Sequence, residues 1–267
     1  MMVKADIAII GGSGLYKLLD NAKEVEVKTP YGLPSDKITI GKIAGKNIAF
    51  LPRHGRHHQF PPHKIPYLAN FWALKKLGVK RIISLTACGS LQKNIKRGDF
   101  VVIDQFVDRT SARSSTIYNG PQTVHISTAY PYCPHINKII YTLGLKLGLR
   151  IHSHGTLVII EGPRFSTRAE SEWFTKMGWD IINMTGYPEI ALAKELQMCY
   201  CSIGLVTDYD VGVVAWEKLP PVSTDEILKV FKQNTATAKR LVEKILKEIP
   251  GRRTCNCGKS LEGARVN

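Results

Sequence analysis

Short apolar runs alternate with longer amphipathic stretches along almost the whole chain of 267 residues. Apolar runs of this length are typical of buried strands, and they predict strands at residues 3–10, 38–43, 47–51, 79–85, 100–103, 156–160, 180–182 and 198–206. Helical spacing of apolar residues predicts helices over residues 63–77, 135–147, 167–177, 188–196 and 223–249. Strands and helices in this alternation predict a single α/β domain, in which helices flank a mixed, mostly parallel sheet.

Two stretches depart from this alternation. Residues 104–133 are polar and irregular, which predicts a long loop of the kind that usually has a function. The segment after Pro250 contains Gly, Arg and a C-x-C pair, and it predicts a surface tail.

Composition and charge narrow the class of protein. Hydrophobic residues make up 44% of the chain, enough for a large core, and no apolar run reaches the roughly 20 residues that cross a bilayer. The first apolar stretch ends in glycines and lacks a cleavage-type segment, so the sequence predicts a cytoplasmic protein that does not bind a membrane. The net charge of +15 is compatible with a nucleic acid or an anionic substrate. Because Lys and Arg are spread along the chain, a solvated surface is favoured over a nucleic-acid site.

Six cysteines are many for a cytoplasmic protein, namely Cys88, Cys133, Cys199, Cys201, Cys255 and Cys257. The C-x-C pairs 199/201 and 255/257 do not match C-x-x-C zinc spacing, and no neighbouring His completes a ligand set, so no metal site is expected. Intracellular proteins of hyperthermophiles often contain disulfide bonds. The high number of cysteines therefore indicates disulfide bonds in this protein. Free buried thiols are the alternative.

Polar residues follow several predicted strands, where ligands of α/β sheets usually bind. The glycine-rich turn 11–14 contains Ser13, and its amides suit an anion as well as an ordinary tight turn. Arg53 and His54 follow the strand at 47–51 and also suit an anion. Three histidines in residues 54–58 raise the possibility of a metal, but no carboxylate or cysteine lies near them in sequence.

Two further strand ends contain hydroxyl, amide and carboxylate groups. Residues 86–90 predict a small-residue turn that brings hydroxyl and amide groups to an oxyanion. Residues 183–186 and 207–210 both follow apolar strands, and Asp208 and Asp210 face one side if this segment is extended. Together these strand ends favour a ligand like a nucleotide.

Six motifs in these segments resemble a known family. They are GGSGLY (11–16), PRHG (52–55), LTACGSL (85–91), EGPRFST (161–167), NMTGYPE (183–189) and TDYD (207–210). In this order they resemble the methylthioadenosine-phosphorylase branch of the trimeric purine nucleoside phosphorylases. The resemblance implies a phosphorylase domain over residues 1–250 with a tail over 251–267, and assembly into a trimer or a dimer of trimers. It implies inorganic phosphate as co-substrate and no metal or organic cofactor.

The resemblance also implies a role for individual residues. It assigns the phosphate pocket to Ser13, Arg53, His54, Thr86, Ala87 and Thr185. It assigns the purine and ribose to Phe165, Ser166, Asn183, Met184, Asp208, Tyr209 and Asp210. The pocket for the 5′ substituent is assigned to Thr224, Ile227 and a neighbouring subunit's copy of His125. Asp208, Arg53 and His54 would be catalytic.

The residues around the base predict which purine is bound. Relatives that prefer 6-oxopurines have Glu after the Phe and Asn in the base loop, where this chain has Ser166 and Asp208. A carboxylate accepts a hydrogen bond from a 6-amino group, and a buried, protonated one donates to N7 as a general acid. These residues therefore predict a 6-aminopurine, and the resemblance implies cleavage of 5′-methylthioadenosine, with adenosine also accepted. The alternatives are a 6-oxopurine phosphorylase and, from another class, a basic nucleic-acid-binding protein.

Overall fold

The computed structural model describes residues 4–12, 20–213 and 223–266. The strands are β1 (Ile7–Gly11), β2 (Asp20–Val25), β3 (Ile38–Ile43), β4 (Lys46–Pro52), β5 (Arg81–Ser90), β6 (Phe100–Ile103), β7 (Gln105–Arg109), β8 (Thr123–Val124), β9 (Ile151–His152), β10 (Thr156–Ile160), β11 (Ile181–Asn183), β12 (Cys199–Tyr209) and β13 (Arg265–Val266). The helices are α1 (Tyr67–Lys76), α2 (Pro134–Lys146), α3 (Arg168–Lys176), α4 (Gly186–Glu195) and α5 (Thr224–Glu248), with 3₁₀ turns at Pro62–Lys64 and Asn256–Lys259.

The described strands form one large mixed sheet and a small two-stranded one. The large sheet has 11 strands in the order β2-β3-β4-β1-β5-β11-β10-β7, and β12, β6 and β9 branch from β5. Most of its pairs are parallel, including those of β1 with β4 and β5, and of β10 with β7 and β11. The predicted α/β fold with a mixed, mostly parallel sheet is therefore confirmed.

Strand β5 is the branch point of the sheet. On one edge, Ile7–Ile10 of β1 pairs in parallel with the start of β5 as far as Ser84. On the same edge, β11 runs antiparallel and pairs only with Gly89 and Ser90. The other edge of β5 pairs with β12 along its length. Within the described residues, no strand covers residues 85–88 on the first edge, and the carboxyl ends of β1 and β11 point towards this gap from opposite directions.

Apolar side chains fill both faces of the sheet. On one face, Phe71 and Leu74 of α1 pack with Ile190 of α4. On the other, Ile136 of α2 packs with Leu241 of α5. Because both faces are covered, the central strands are apolar throughout, as their continuous hydrophobic runs predicted.

Five predicted helices are present, with ends shifted by a few residues. Helix α3 begins with the predicted capping box: Thr167 Oγ1 accepts from the N–H of Glu170, and Glu170 accepts from the N–H of Thr167. Strand β2 was not predicted, and the predicted loop at 104–133 contains β7 and β8. The turn predicted at 86–90 is wrong, because β5 continues to Ser90, where β12 and β11 pair with its backbone.

The segment after Pro250 is docked against the core. Arg81 Nη2 donates to the carbonyl of Pro250 at 2.9 Å, and Gln197 Nε2 donates to the carbonyl of Gly258 at 2.7 Å. At its end β13 pairs with β8. All six cysteines are free thiols, which agrees with the alternative to the predicted disulfides. Among the described residues, no helix combines the length and the apolar character needed to cross a membrane.

Candidate active site

The gap beside residues 85–88 of β5 brings together residues from the middle of β5 and from the carboxyl ends of three other strands, β1, β4 and β11. The backbone N–H of Arg53, just after β4, donates to the carbonyl of Gly11 at the end of β1. Asn183, the last residue of β11, donates from Nδ2 to Thr86 Oγ1 at 2.9 Å. Arg53, Thr86 and Asn183 thus meet at one edge of the sheet, as the strand-end argument predicted.

Arg53 lies beneath this site and is 4% exposed. Its Nε and Nη2 donate to the two carboxylate oxygens of Glu189, at 2.5 and 3.1 Å. Nη2 also donates to Ser84 Oγ at 2.6 Å, and Nη1 donates to the carbonyl of Leu85 at 3.1 Å. Burial lowers the pKa of Arg53, but the charge and hydrogen bonds of Glu189 outweigh it and raise the pKa above its usual value. Among the described residues, Nη1 has a partner for only one of its two hydrogens, which leaves the other for a ligand.

His54 is held as a neutral ring. Its Nδ1 lies 2.8 Å from the carbonyl oxygen of Phe60. A carbonyl only accepts, so Nδ1 carries the proton, and Nε2 of the neutral ring is then an acceptor. Burial lowers the pKa of His54 to about 4. The ring also stacks on His58, with centroids 4.3 Å apart.

A small network around Asn183 links Thr86 and Thr185, two residues predicted to bind phosphate. The Thr86 hydroxyl lies 3.3 Å from the carbonyl of Ala87 and accepts from Asn183. Asn183 Oδ1 in turn accepts from the N–H groups of Thr185 and Gly186, at 3.2 and 3.3 Å. Thr185 directly precedes α4 and makes no side-chain cap, and the helical backbone is interrupted at Tyr187, whose φ of −113° and ψ of 137° are not helical. Asn183, predicted to contact base and ribose, has both ends of its amide in this internal network.

Asp208 and Asp210 come together over Gly89 of β5. A β-bulge in β12 lies between Val206 and Asp208. A Cβ placed on Gly89 would lie 3.1 Å from Asp208 Oδ2 and 3.7 Å from Asp210 Cβ. The two aspartates thus face the same side of the strand, as predicted, and a side chain on Gly89 would press on Asp208 and on Ile182.

The two carboxylates have different surroundings. Asp208 is 9% exposed, and its Oδ1 accepts from the hydroxyl of Thr207 at 2.6 Å. Asp210 is 4% exposed and accepts from Ser166 Oγ, which lies 2.8 and 2.6 Å from its two oxygens. Burial raises the pKa of Asp210, while the hydrogen bond from Ser166 partly offsets the rise. Ser166, predicted from its position to select the base, is thus joined to the second aspartate.

The segment containing Phe165 crosses the loop after β11. Gly162 has a φ of +69°, and a Cβ on it would lie 2.7 Å from Met184 Sδ, so glycine is required for this approach. Phe165 is 39% exposed, while Met184 and Tyr209 are half-buried.

The other predicted residues lie outside this group or outside the described residues. His125 is exposed, and its N–H donates to the carbonyl of Ala264 at 2.7 Å, so the C-terminal segment holds its backbone. Ser13 lies outside the described residues. Thr224 and Ile227 are in the first turns of α5, and their side chains lie outside the described part of the chain.

Sequence reasoning missed the residue that organises Arg53. Glu189 is 1% exposed and accepts from Tyr200 Oη at 2.6 Å as well as from the guanidinium. It lies within the quoted motif at 183–189 but received no role. The available signal was an acidic residue directly before the apolar run Ile190–Leu192, since a buried carboxylate needs a cationic partner.

The comparison with known families covers nearly the whole chain. A sequence model of the phosphorylase superfamily matches residues 6–247. The chain therefore belongs to the phosphorylase superfamily, which agrees with the fold and with the anion-compatible strand ends.

Individual relatives narrow this class. The S-methyl-5′-thioadenosine phosphorylase of Hyperthermus butylicus is 51% identical over 268 residues, covering 98% of this chain and 96% of the relative. A solved methylthioadenosine phosphorylase from an antarctic soil metagenomic library has a TM-score of 0.92 at 40% identity, covering 98% of this chain and 93% of that one. The methylthioadenosine phosphorylase of Schistosoma mansoni in complex with adenine has a TM-score of 0.89 at 34% identity, covering 97% and 96%. These likenesses confirm the branch that the six motifs indicated.

Proposed function

We propose that this chain cleaves 5′-methylthioadenosine with inorganic phosphate, giving adenine and 5-methylthioribose 1-phosphate. One observation carries the proposal. The buried Arg53, with hydroxyl donors near it, and the buried pair Asp208 and Asp210 lie next to different parts of the same strand, β5. Phosphate and purine would bind at these two groups with the ribose between them. Full-length similarity to S-methyl-5′-thioadenosine phosphorylases supports this substrate.

The phosphate end of the proposed site combines one cation with neutral donors. The anion would be bound by the Nη1 hydrogen of Arg53 that has no partner among the described residues, and by the hydroxyls of Thr86 and Thr185. The Nε2 of His54 accepts the proton of a P–OH group, so the site suits a protonated phosphate. Bound phosphate stabilises the positive charge that develops on C1′ in an oxocarbenium-like transition state and then forms the new bond.

The base end stabilises the leaving purine. Asp208 accepts from the 6-amino group when ionised, and donates to N7 when protonated, which offsets the negative charge on the departing base. Ser166 and Asp210 hold the neighbouring part of the base edge in place. Phe165 stacks on the purine face. The reaction balances with phosphate alone, so the proposal includes no metal or organic cofactor in catalysis.

Binding of the 5′ substituent of the substrate would involve a residue from a neighbouring subunit. His125 is exposed in the single chain and its backbone is braced by the C-terminal segment, as suits a side chain that completes the site of a neighbouring subunit. We therefore propose a homotrimer or a dimer of trimers. Acceptance of adenosine belongs to the same proposal, and a solved S. mansoni relative is called an adenosine/methylthioadenosine phosphorylase.

The test is release of free base from methylthioadenosine, adenosine and inosine, with and without phosphate. We expect adenine release that depends on phosphate and is fastest from methylthioadenosine. Faster hypoxanthine release from inosine would overturn the assigned base preference, and cleavage without phosphate would overturn the phosphorolytic mechanism.

The variant Asp208→Asn tests the base end. We expect it to lose about 100-fold or more in kcat/KM on methylthioadenosine and much less on inosine, because only the aminopurine needs the carboxylate. Equal losses on both substrates would remove the role assigned to Asp208. Glu195→Gln is the matched control, since Glu195 is also buried but bonds the backbone of Ile117, away from the site.

A further inference from the structure

Arg113 lies in the irregular stretch between β7 and β8, yet its side chain is only 1% exposed. Its Nη2 donates to the carbonyl of Glu161 at 2.6 Å, and its Nη1 donates to the carbonyl of Tyr187 at 2.6 Å. Nη1 also donates to Tyr67 Oη at 3.2 Å, and the guanidinium lies over the ring of Tyr67. A planar guanidinium fixes the directions of the bonds that it makes. Arg113 therefore sets the distance between the segments that follow β10 and β11.

The carboxylate of Glu161 strengthens this contact. Its Oε2 accepts from the backbone N–H of Ser111 at 2.8 Å, and its Oε1 lies 3.4 Å from Arg113 Nε. The N–H of Ala112 also donates to the carboxylate. Burial raises the pKa of Glu161, but these hydrogen bonds and the charge of Arg113 outweigh it and lower the pKa below its usual value. The backbone of residues 111–113 thus wraps around an ionised carboxylate.

Glu161 is the first residue of the segment that contains Phe165, the predicted stacking partner of the purine. At the other end of this segment, Ser166 Oγ donates to Asp210. Phe165 is 39% exposed, so the chain covers only part of its side chain. The position of the ring therefore depends on how the two ends of residues 161–166 are fixed.

We propose that Arg113 and Glu161 are positioning residues that place Phe165 against the purine. This inference rests on the proposed function, in which Phe165 stacks on the base. Arg113 acts through the backbone of Glu161, and without the pair the segment is held only at its Ser166 end. An aromatic ring that stacks on the purine holds substrate and transition state alike. Its displacement therefore weakens binding more than it slows the chemical step.

The experiment measures adenine binding and steady-state kinetics of Arg113→Met, Glu161→Gln and Phe165→Ala in the full-length protein. Met keeps the apolar length of Arg113 and removes its donors. In Glu161→Gln the amide NH2 group faces either the Arg113 guanidinium or the N–H groups of residues 111–112, so part of the contact is lost. We expect Arg113→Met to raise the Kd of adenine and the KM of methylthioadenosine about 10-fold, and Glu161→Gln about threefold. The kcat and the KM of phosphate should change less than these two quantities.

A double-mutant cycle separates positioning from a general loss of structure. In the Phe165→Ala background the ring is gone, so Arg113→Met should raise the Kd of adenine by less than about twofold. Arg81→Met is the matched control, because Arg81 is 5% exposed and donates to the carbonyls of Pro250 and Gly251, at the start of β5. This control should lower the Tm and leave the Kd of adenine unchanged.

The outcomes separate this inference from the proposed function. A Kd of adenine that rises in Phe165→Ala but not in Arg113→Met or Glu161→Gln would overturn the inference and leave the proposed function intact. Additive effects in the cycle would also overturn it, because Arg113 would then act independently of Phe165. An unchanged Kd in Phe165→Ala would remove the stacking role itself, and the inference with it. If Arg113→Met does not fold, the same cycle is run with Glu161→Gln, which keeps the bonds of Arg113 to the backbone carbonyls.

Discussion

Replacing Glu189 by Gln removes the countercharge of Arg53 while keeping the shape of the side chain. The guanidinium would then be buried at 4% exposure with a neutral partner. One Glu189 oxygen accepts from both Arg53 Nη2 and Tyr200 Oη, and an amide nitrogen at that place would face the guanidinium donor without a bond. Breaking a buried ion pair in this way costs about 3–5 kcal/mol. In a chain of 267 residues that corresponds to a fall in Tm of roughly 5–10 °C.

Phosphate should change this result in a specific way. In the unmodified protein Glu189 already neutralises Arg53, whereas in Glu189→Gln the bound anion becomes the main countercharge. We therefore expect phosphate to raise the Tm of the variant by more than it raises that of the unmodified protein. Ligand at about 100 times its Kd contributes about 2.7 kcal/mol, which is large enough to measure beside the loss.

The assay is thermal unfolding in phosphate-free buffer and again with increasing phosphate. Glu195→Gln is the control, since Glu195 lies on the same helix, is also buried, and forms no ion pair with an arginine of the described residues. Glu195 accepts from the N–H of Ile117, and the amide oxygen of Gln can still accept that hydrogen bond. A Tm of Glu189→Gln close to that of the control, or an equal phosphate shift in the variant and the unmodified protein, would refute the reasoning.

Three further substitutions test the site. Gly89→Ala should reduce kcat roughly 10- to 100-fold with little change in Tm, because the new Cβ would lie 3.1 Å from Asp208 Oδ2 and displace it. The control is Gly251→Ala, where the space around the glycine is open, and equal kcat values for the two variants would contradict this prediction. Burial raises the pKa of Asp210, and the hydrogen bond from Ser166 lowers it. Ser166→Ala removes this donor, so the pKa should rise further and the acid limb of the pH–rate profile should move to higher pH. An unchanged acid limb would show that Asp210 does not titrate in the reaction. His54 has a folded pKa of about 4 against an unfolded value of about 6.5, so the unfolded chain binds the extra proton and stability falls as pH drops from 6.5 to 4. Its contribution is about 3 kcal/mol over that range, and His54→Asn, which keeps a donor for the Phe60 carbonyl, should lose that much less stability between pH 7 and pH 4 in urea unfolding.

The elements that sequence predicted best are those with a strong local pattern. The capping box at Thr167 and Glu170 opens α3 as expected, and the apolar spacing of α2 and α5 gave helices within a residue or two. Local pattern failed at residues 86–90, where small residues suggested a turn. Their conformation is set by pairing with β11 and β12, which are about 100 residues away in the chain, and no local signal encodes it.

The candidate site shows the same division. The motifs identified Arg53, Thr86 and Asp208 as members of one site, and the structure brings their strands together. The role of Glu189 depends on a contact with Arg53 across 136 residues, which sequence spacing does not reveal. The approach of four cysteines to one another was missed for the same reason, since Cys133, Cys199, Cys255 and Cys257 are far apart in the chain.

The position of β5 at the branch of the sheet has a consequence for how activity appears during folding. The gap beside residues 85–88 exists only when β1 and β11 have paired on one edge of β5 and β12 on the other. These pairings are long-range, so they form late and slowly compared with local helices. On a ribosome, β12 is synthesised after the rest of the sheet, and no earlier fragment contains Asp208. After refolding, catalytic activity should therefore return only when all the strands next to β5 have paired with it.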